Sequence, residues 1–478
     1  VSYKTNFNKT KIVATIGPAT ASYETLKEII YTGVDVCRIN GSHGSHEDHA
    51  LVIENIKKIN AELRSNVCML FDLQGPKLRI GMVENNSITL ERGHEILLSS
   101  IDCIGTAEKI FVSYDKLAKD VKPGEKVLLD DGKLELVFEE IVDDHTVKAR
   151  VIHGGVLSSK KGFNLPNSDL SIPALTEKDL ADLEFALQHE VEWIGLSFVR
   201  KPDDIRLLRK IITEHGSHAR IIAKIEKPEA VKCIDDIIAI TDGIMVARGD
   251  LGVEMPMEEV PIIQKEIVKK CILASKPVII ATQMMESMIQ SPTPTRAEAN
   301  DVANAVLDGA DAVMLSAETS VGAYPIRVVQ AMERIVRNVE ARGDVYFKGQ
   351  RPSEDSSTFL SDEVCFTAVR MSAHLNARAI VSMTRSGYTG FKIGSYRPRA
   401  NIFIFTNNLP LLNTLNLVWG VRGFFYDKYS STDETFNDVI DILRENNMVF
   451  KDDLVINTAS MPIHEKSRTN AIKVSTVS

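Results

Sequence analysis

The segment IIAKIEKPEAV, Ile221 to Val231, carries Lys224 and Glu226 two residues apart inside an apolar run. Side chains of a strand alternate between its faces, so this ammonium and carboxylate point the same way. Downstream, MVARGDLGVE places Arg248 and Asp250 after another apolar run. Glu226 and Asp250, on neighbouring strands, could hold one divalent cation and leave positions open for substrate oxygens, and such hard ligands suit magnesium or manganese. The same carboxylates could instead close structural salt bridges with Lys224 or Arg248. Arg38, Arg79 and Lys224 add fixed positive charge, and a guanidinium matches a phosphate or a carboxylate. Positive charge beside a carboxylate-held metal is what phosphoryl transfer requires, because catalysis there is positioning and neutralisation of oxygens. Taken singly, each Arg is more simply read as one half of an ion pair. The stretch NGSHGSH, 40 to 46, reads either as a phosphate-cradling loop or as a polar loop with an N-capping serine. His43, His46 and His49 read as solvated loop residues, with no zinc spacing around them.

Eight short apolar runs would position these groups: KIVATIG (11–17), VDVCRIN (34–40), NVCMLFDL (66–73), VEWIGLSFV (191–199), RIIAKIE (220–226), DGIMVARG (242–249), PVIIATQ (277–283) and DAVMLSAE (311–318). Each is followed by a helix-like segment, the pattern of a parallel sheet covered on both faces, and eight of them predict a closed (β/α)8 TIM barrel. The strand ends then ring one mouth with Arg38, Asn40, Asp72, Ser197, Lys224, Glu226, Arg248, Asp250, Thr282, Ser316 and Glu318. From 76 to 172 the text changes to short alternating segments closed by Gly, Asn and Asp-Gly turns, which predicts an inserted antiparallel β domain, a small barrel, leaving and re-entering at the mouth after the third strand. After the polar linker KGQRPSEDSST, alternation resumes as a third, α/β domain over 346–478. The barrel itself is expected over 1–75 and 173–345.

The chain has 478 residues, 56 basic and 65 acidic, and a net charge of −9 with no charged tail, which argues against nucleic acid and anionic membrane as partners. Its six cysteines are dispersed and form no CxxC pair, as expected of reduced thiols in a cytoplasm. No apolar run approaches a membrane span and the first residues lack a signal-peptide core.

In order along the chain, KIVATIGPAT, RINGSHGSHEDHA, FDLQGPKLRIG, KKGFNLP, LSFVRKPDD, IIAKIEKPEAV, MVARGDLGVE, ATQMMESMI, PTPTRAEANDVANAVLDGADAVMLSAET and YRPRANI resemble the pyruvate kinase family. The resemblance implies transfer of the phosphoryl group of phosphoenolpyruvate to ADP, giving pyruvate and ATP, in the last step of glycolysis. It implies Glu226 and Asp250 as ligands of Mg2+ or Mn2+, and a seat for the substrate carboxylate at Gly249, Asp250 and Thr282. Lys224 would face the transferring phosphoryl group and Arg38 would bind the phosphate. Asn40, His43, Arg79 and Lys161 would meet the nucleotide, and Thr282, with Ser316 and Glu318 behind it, would help protonate the enolate. The inserted domain would close on ADP and exclude water. Thr384, Arg385, Ser386, Gly387 and Thr389 match an effector loop for a sugar phosphate, although TASMPIHEKSRTN (458–470) lacks the glycines common beside it, which puts fructose 1,6-bisphosphate in doubt and leaves open a different phosphorylated effector, or none, the loop then being a plain N-capped helix start. A homotetramer, and allostery through it, are implied in the same way.

The sequence departs from the family where DLQGPKLRIG replaces DTKGPEIRTG. Members with the Glu hold a potassium ion on groups matching Asn40, Ser42, Asp72 and the carbonyl of Leu73. Lys77 would supply that charge covalently, so potassium independence is expected. Gly41 also stands where the family has a bulky aromatic. Two other readings are a barrel lyase or aldolase acting on pyruvate or phosphoenolpyruvate, and a silent relative that senses sugar phosphates.

Overall fold

The computed structural model describes residues 7–168, 170–428, 431–461 and 468–478. Eight strands, Lys11–Ile16, Val36–Asn40, Cys68–Asp72, Trp193–Leu196, Arg220–Ile225, Gly243–Ala247, Val278–Ala281 and Ala312–Leu315, close into one barrel. Every neighbouring pair is parallel, and the first strand pairs with both the second and the eighth. Most of these strands are buried along their whole length because each has apolar partners on both faces. Ile12, Phe71, Ile221 and Ile280 face the surrounding helices, whereas Val13, Leu70, Ile222 and Ile279 fill the interior.

The inserted domain leaves after Asp72 and the barrel resumes with the helix Glu177–Gln188. Its main sheet has six strands in the order Phe163–Asn164, Lys126–Leu129, Leu134–Asp143, Thr146–His153, Glu95–Ser99 and Lys109–Phe111. The pairing is antiparallel as expected except between Glu95–Ser99 and Lys109–Phe111, which run parallel. Closure comes from single bridges: Arg79 pairs with Gly162 at one edge of the sheet and Ile80 with Val112 at the other. The turn Asp130–Asp131–Gly132 takes positive φ at all three residues, a conformation Asp and Gly tolerate. Ile80, Leu98, Leu136, Val147 and Phe163 form a core private to this domain.

The C-terminal domain is a five-stranded sheet in the order Val421–Phe425, Asn401–Thr406, Ala379–Met383, Leu454–Ala459 and Ala471–Thr476, with only the last strand antiparallel. One sheet face, with Ile380, Ile402 and Ile404, belongs to the same apolar cluster as the barrel interior, through Trp193 and Trp419. The other, with Val381, Phe403 and Phe405, packs on the helix Thr432–Glu445. The domain therefore plugs the N-terminal end of the barrel, opposite the charged mouth.

Candidate active site

The strand ends bring a continuous ionic chain together. Arg38 donates to Asp72 Oδ2 through Nε (2.8 Å) and Nη2 (2.5 Å), and its Nη1 reaches Thr15 Oγ1 at 3.0 Å. The other Asp72 oxygen lies 3.2 Å from Lys224 Nζ, which also donates to Ser197 Oγ (2.7 Å) and lies 3.0 Å from Glu226 Oε1. Glu226 Oε2 accepts the Phe198 N–H at 2.6 Å. Asp72 and Glu226 are each 1% exposed, so these charges persist only because they face one another. Burial alone would raise the Asp72 pKa, but Lys224 and Arg38 overcome it and hold the carboxyl below its usual range. Burial likewise disfavours charge on Lys224, and Asp72 and Glu226 more than offset it, so its pKa is raised. For Glu226 burial prevails over the attraction of Lys224, and its pKa is raised. A second cation would relieve that carboxylate.

Asp250, in the helix Arg248–Glu254, is half-exposed, and Lys77 Nζ approaches its Oδ1 to 3.5 Å. The neighbouring Gly249 N–H donates to Thr282 Oγ1 at 2.7 Å, and Thr282 Oγ1 donates to its own strand at Ala281 O. Thr282 and Gln283 both adopt positive φ, an uncommon conformation for non-glycine residues that here turns the chain at the mouth. Arg248 does not join the charged chain. Its fork grips Asp301 at 2.7 Å on both oxygens and the Thr282 carbonyl at 2.8 Å, so it fixes the turn that presents Thr282. Beyond the eighth strand, Glu318 accepts from the Ser316 and Met285 N–H groups, and burial raises its pKa. Ser316 Oγ is buried without a protein partner among the described residues.

Other expected site residues are not members of this ionic chain. In the inserted domain Arg79 donates to Lys160 O (3.0 Å) and Lys161 pairs with Asp130 (2.9 Å). Asn40 Oδ1 accepts the Ser42 N–H, His43 sits in the following exposed loop, and Leu73 O accepts Ser197 Oγ. His46 and His49 belong to the first turn of the helix His46–Leu63 and not to the loop: His46 is solvent-exposed, with Nε2 meeting Asp182 at 2.8 Å, whereas His49 is buried edge-on against Phe71. The space beside Gly41 is filled, since a Cβ there would lie 3.0 Å from Phe71 and 3.1 Å from Asp182. At the far end of the barrel, the Thr384–Thr389 loop opens the helix Tyr388–Ser395: Thr384 Oγ1 accepts the Gly387 N–H and Thr389 Oγ1 meets Thr469 Oγ1. Residues 462–467 of the stretch 458–470 lie outside the described residues.

Three contributors were not assigned roles from sequence. Thr15 orients Arg38, Ser197 holds Lys224, and the Phe198 N–H fixes Glu226. The only signal for the first was a polar residue at an alternate position near the end of an apolar strand; a backbone N–H carries none.

The family model described as "Pyruvate kinase, barrel domain" matches residues 7–329, and "Pyruvate kinase, alpha/beta domain" matches 362–475. The pyruvate kinase of Geobacillus stearothermophilus is 43% identical over 98% of this chain and 80% of its own length. That of Staphylococcus aureus is 41% identical with the same coverage. The crystal structure of a pyruvate kinase from Cryptosporidium parvum superposes with a TM-score of 0.92 at 34% identity, covering 98% of this chain and 96% of the other.

Proposed function

The chain belongs to the pyruvate kinase family, and from that premise we propose how its own residues carry the transfer of the phosphoryl group of phosphoenolpyruvate to ADP. The observation that carries the reading is the unbroken series Arg38–Asp72–Lys224–Glu226, with Asp250 beside it, gathered from separate strands at one mouth.

Arg38, oriented by Thr15 and Asp72, binds the phosphate of phosphoenolpyruvate. Gly249 N–H, Asp250 and Thr282 Oγ1 seat the carboxylate. Lys224 keeps its proton and lies against the bridging oxygen, where negative charge grows as the P–O bond to enolpyruvate breaks and a new P–O bond forms to the β-phosphate of ADP. Arg79 and Lys161, with Asn40 and His43, receive the nucleotide phosphates. Thr282, with Ser316 and Glu318 behind it, delivers the proton that the enolate takes at its methylene carbon. Glu226 and Asp250 suit a hard divalent cation such as Mg2+ or Mn2+: both donors are carboxylate oxygens, and two protein ligands leave positions for substrate and water. When bound, that ion would withdraw charge from the enolpyruvate and phosphoryl oxygens. Closure of the inserted domain would exclude water that would otherwise take the phosphoryl group.

Lys77 supplies fixed positive charge next to Asp250, so turnover does not need potassium. Three of the four groups matching the potassium site already have partners: Asn40 Oδ1 the Ser42 N–H, Asp72 its two cations, and Leu73 O the Ser197 hydroxyl. The Thr384–Thr389 loop, with Arg385 and Ser386, takes a phosphorylated effector, and the chain assembles as a homotetramer. A cytoplasmic setting accords with six free cysteines; among the described residues no helix is long and apolar enough to cross a membrane.

A coupled assay varying phosphoenolpyruvate, ADP, magnesium and potassium separately tests this. ADP-dependent pyruvate formation without added potassium is expected. Pyruvate release without nucleotide would mean a lyase instead.

A further inference from the structure

Four consecutive residues after the fourth barrel strand, Ser197 to Arg200, touch both crossings of the inserted domain and two reacting groups. Ser197 Oγ accepts Lys224 Nζ (2.7 Å) and donates to Leu73 O (2.7 Å), just before the outgoing crossing at Gly75. Gly75 has φ +71, and a Cβ on it would lie 2.9 Å from both the Ser197 Cβ and the Phe198 ring. Phe198 is held at φ +53, an unfavourable conformation for an aromatic residue, and in it the N–H reaches Glu226 Oε2 at 2.6 Å. Its side chain lines a narrow crevice between Pro76 and Leu78 on the outgoing crossing and Leu170 and Ile172 on the returning one.

Arg200 completes the contact. Its Nη1 and Nη2 donate to Leu170 O (2.7 Å) and Ile172 O (2.6 Å), while Asp204 accepts from its backbone N–H and lies 3.9 Å from its Nε. Between those two carbonyls, Ser171 turns the other way. Its N–H donates to Asp120 and its carbonyl accepts from Lys116, both of the inserted domain. The returning segment is thus bonded to the barrel along one edge and to the inserted domain along the other. Val199, fully buried, leaves little slack between Arg200 and Phe198.

We propose that Arg200 is a positioning residue for phosphoryl transfer: through the Ser197–Arg200 loop it ties the returning crossing of the inserted domain to Lys224 and Glu226, so that domain closure and alignment of the reacting groups are one event. This rests on the reading that the inserted domain closes over the mouth. Movement of Leu170–Ile172 pulls the guanidinium fork, and the stiff loop passes the displacement to the Phe198 N–H and the Ser197 hydroxyl. A planar fork can grip two carbonyls of one extended segment together, which an ammonium cannot do with the same geometry.

The test compares wild type, Arg200→Lys and Arg200→Met in two reactions. One is pyruvate formation from phosphoenolpyruvate and ADP. The other is exchange of pyruvate methyl protons with deuterated water in the presence of magnesium, with and without ADP, followed by NMR. In the wild type ADP is expected to accelerate exchange by about fivefold or more, a typical coupling between two sites. Arg200→Met should keep the ADP-free exchange rate, lose the acceleration, and lower kcat for transfer by about tenfold, the scale of a misaligned reacting pair, with little change in KM for phosphoenolpyruvate. Arg200→Lys should be intermediate, and carries the test if Arg200→Met does not fold. Retention of the acceleration in Arg200→Met, or loss of ADP-free exchange in parallel with thermal stability, would overturn the proposal, the second by reducing Arg200 to a structural role. No acceleration in a wild type that turns over normally would overturn it as well. A wild type that makes no pyruvate from phosphoenolpyruvate and ADP would instead remove the reading beneath it.

Discussion

Lys224 keeps its charge almost out of contact with water because Asp72, Glu226 and Ser197 all face it. The arrangement has one carboxylate, Asp72, answering two cations and another, Glu226, left short of positive charge, as its raised pKa reports. Removing one member of such a buried network exposes the others' unpaired charge, a cost of about 3–5 kcal/mol, so loss of stability has to be separated from loss of chemistry at these positions. Lys77 avoids that problem because it is partly exposed. Lys77→Glu would set two carboxylates against each other at Asp250, and the variant is expected to require an added monovalent cation where the wild type does not. Rates measured in tetramethylammonium and in potassium buffers check this; a Lys77→Glu variant indifferent to the cation would count against a charge-supplying role. The two-residue spacing of Lys224 and Glu226 was legible in the sequence as a shared strand face. That Asp72 bridges Arg38 and Lys224 was not, because its partners lie on different strands.

At the scale of elements, the helix Glu177–Gln188 organises the mouth from outside it. Asp179 closes a capping box with Thr176 and also accepts the Gly75 N–H at 2.9 Å, so a fully buried carboxylate pins the outgoing crossing to the start of the helix that follows the returning one. Two residues along one helical turn extend the grip, since Lys178 and Asp182 pair with each other and hold the Gly41 carbonyl and His46. Asp179→Ala would lose the reciprocal half of the capping box and leave the Gly75 and Thr176 donors without a partner, costing about 2–3 kcal/mol. Urea denaturation should show that loss as a lower midpoint with an unchanged slope, and a change under about 0.5 kcal/mol would mean that water replaces the carboxylate. The T-x-x-D cap signal is visible in the sequence. The bond to Gly75 is not, because nothing local says which distant N–H the spare oxygen will find.

For the molecule as a whole, the barrel interior and one face of the C-terminal sheet form a single apolar cluster whose rim is ionic. Arg397 and Asp311 pair at 2.8 Å with almost no exposure, and Arg422 reaches Asp35 at 2.9 Å. Arg397→Met would leave Asp311 buried without its cation, a cost of about 3–5 kcal/mol. Because the two cores are continuous, barrel and C-terminal domain should still unfold in one calorimetric transition; a separate early transition would show that the domains are independent. Glu192, at the same junction, accepts from the Met69 N–H and from Asn413, and burial pushes its pKa up to about 7 from the ordinary 4.5. Between those values the folded protein holds a proton that the unfolded chain has released, so stability falls as pH rises through this window. Glu192→Gln should remove that slope, worth up to about 3 kcal/mol between pH 4.5 and 7, in denaturation curves taken across the range.

Each barrel strand declares itself through its own apolar run, and each strand end through the polar residue that follows it, so the order of elements, the inserted β domain, the C-terminal sheet and the residues at the mouth follow from the sequence alone. Those are local properties, fixed by side-chain period and turn chemistry over a few residues. Which oxygen faces Lys224, how Arg248 is drawn off to Asp301, how two bridges close the inserted sheet and how Arg200 grips the returning crossing were decided only by tertiary structure. Those contacts join residues far apart in the chain, and their partners are chosen by strand register and packing, which no short stretch encodes.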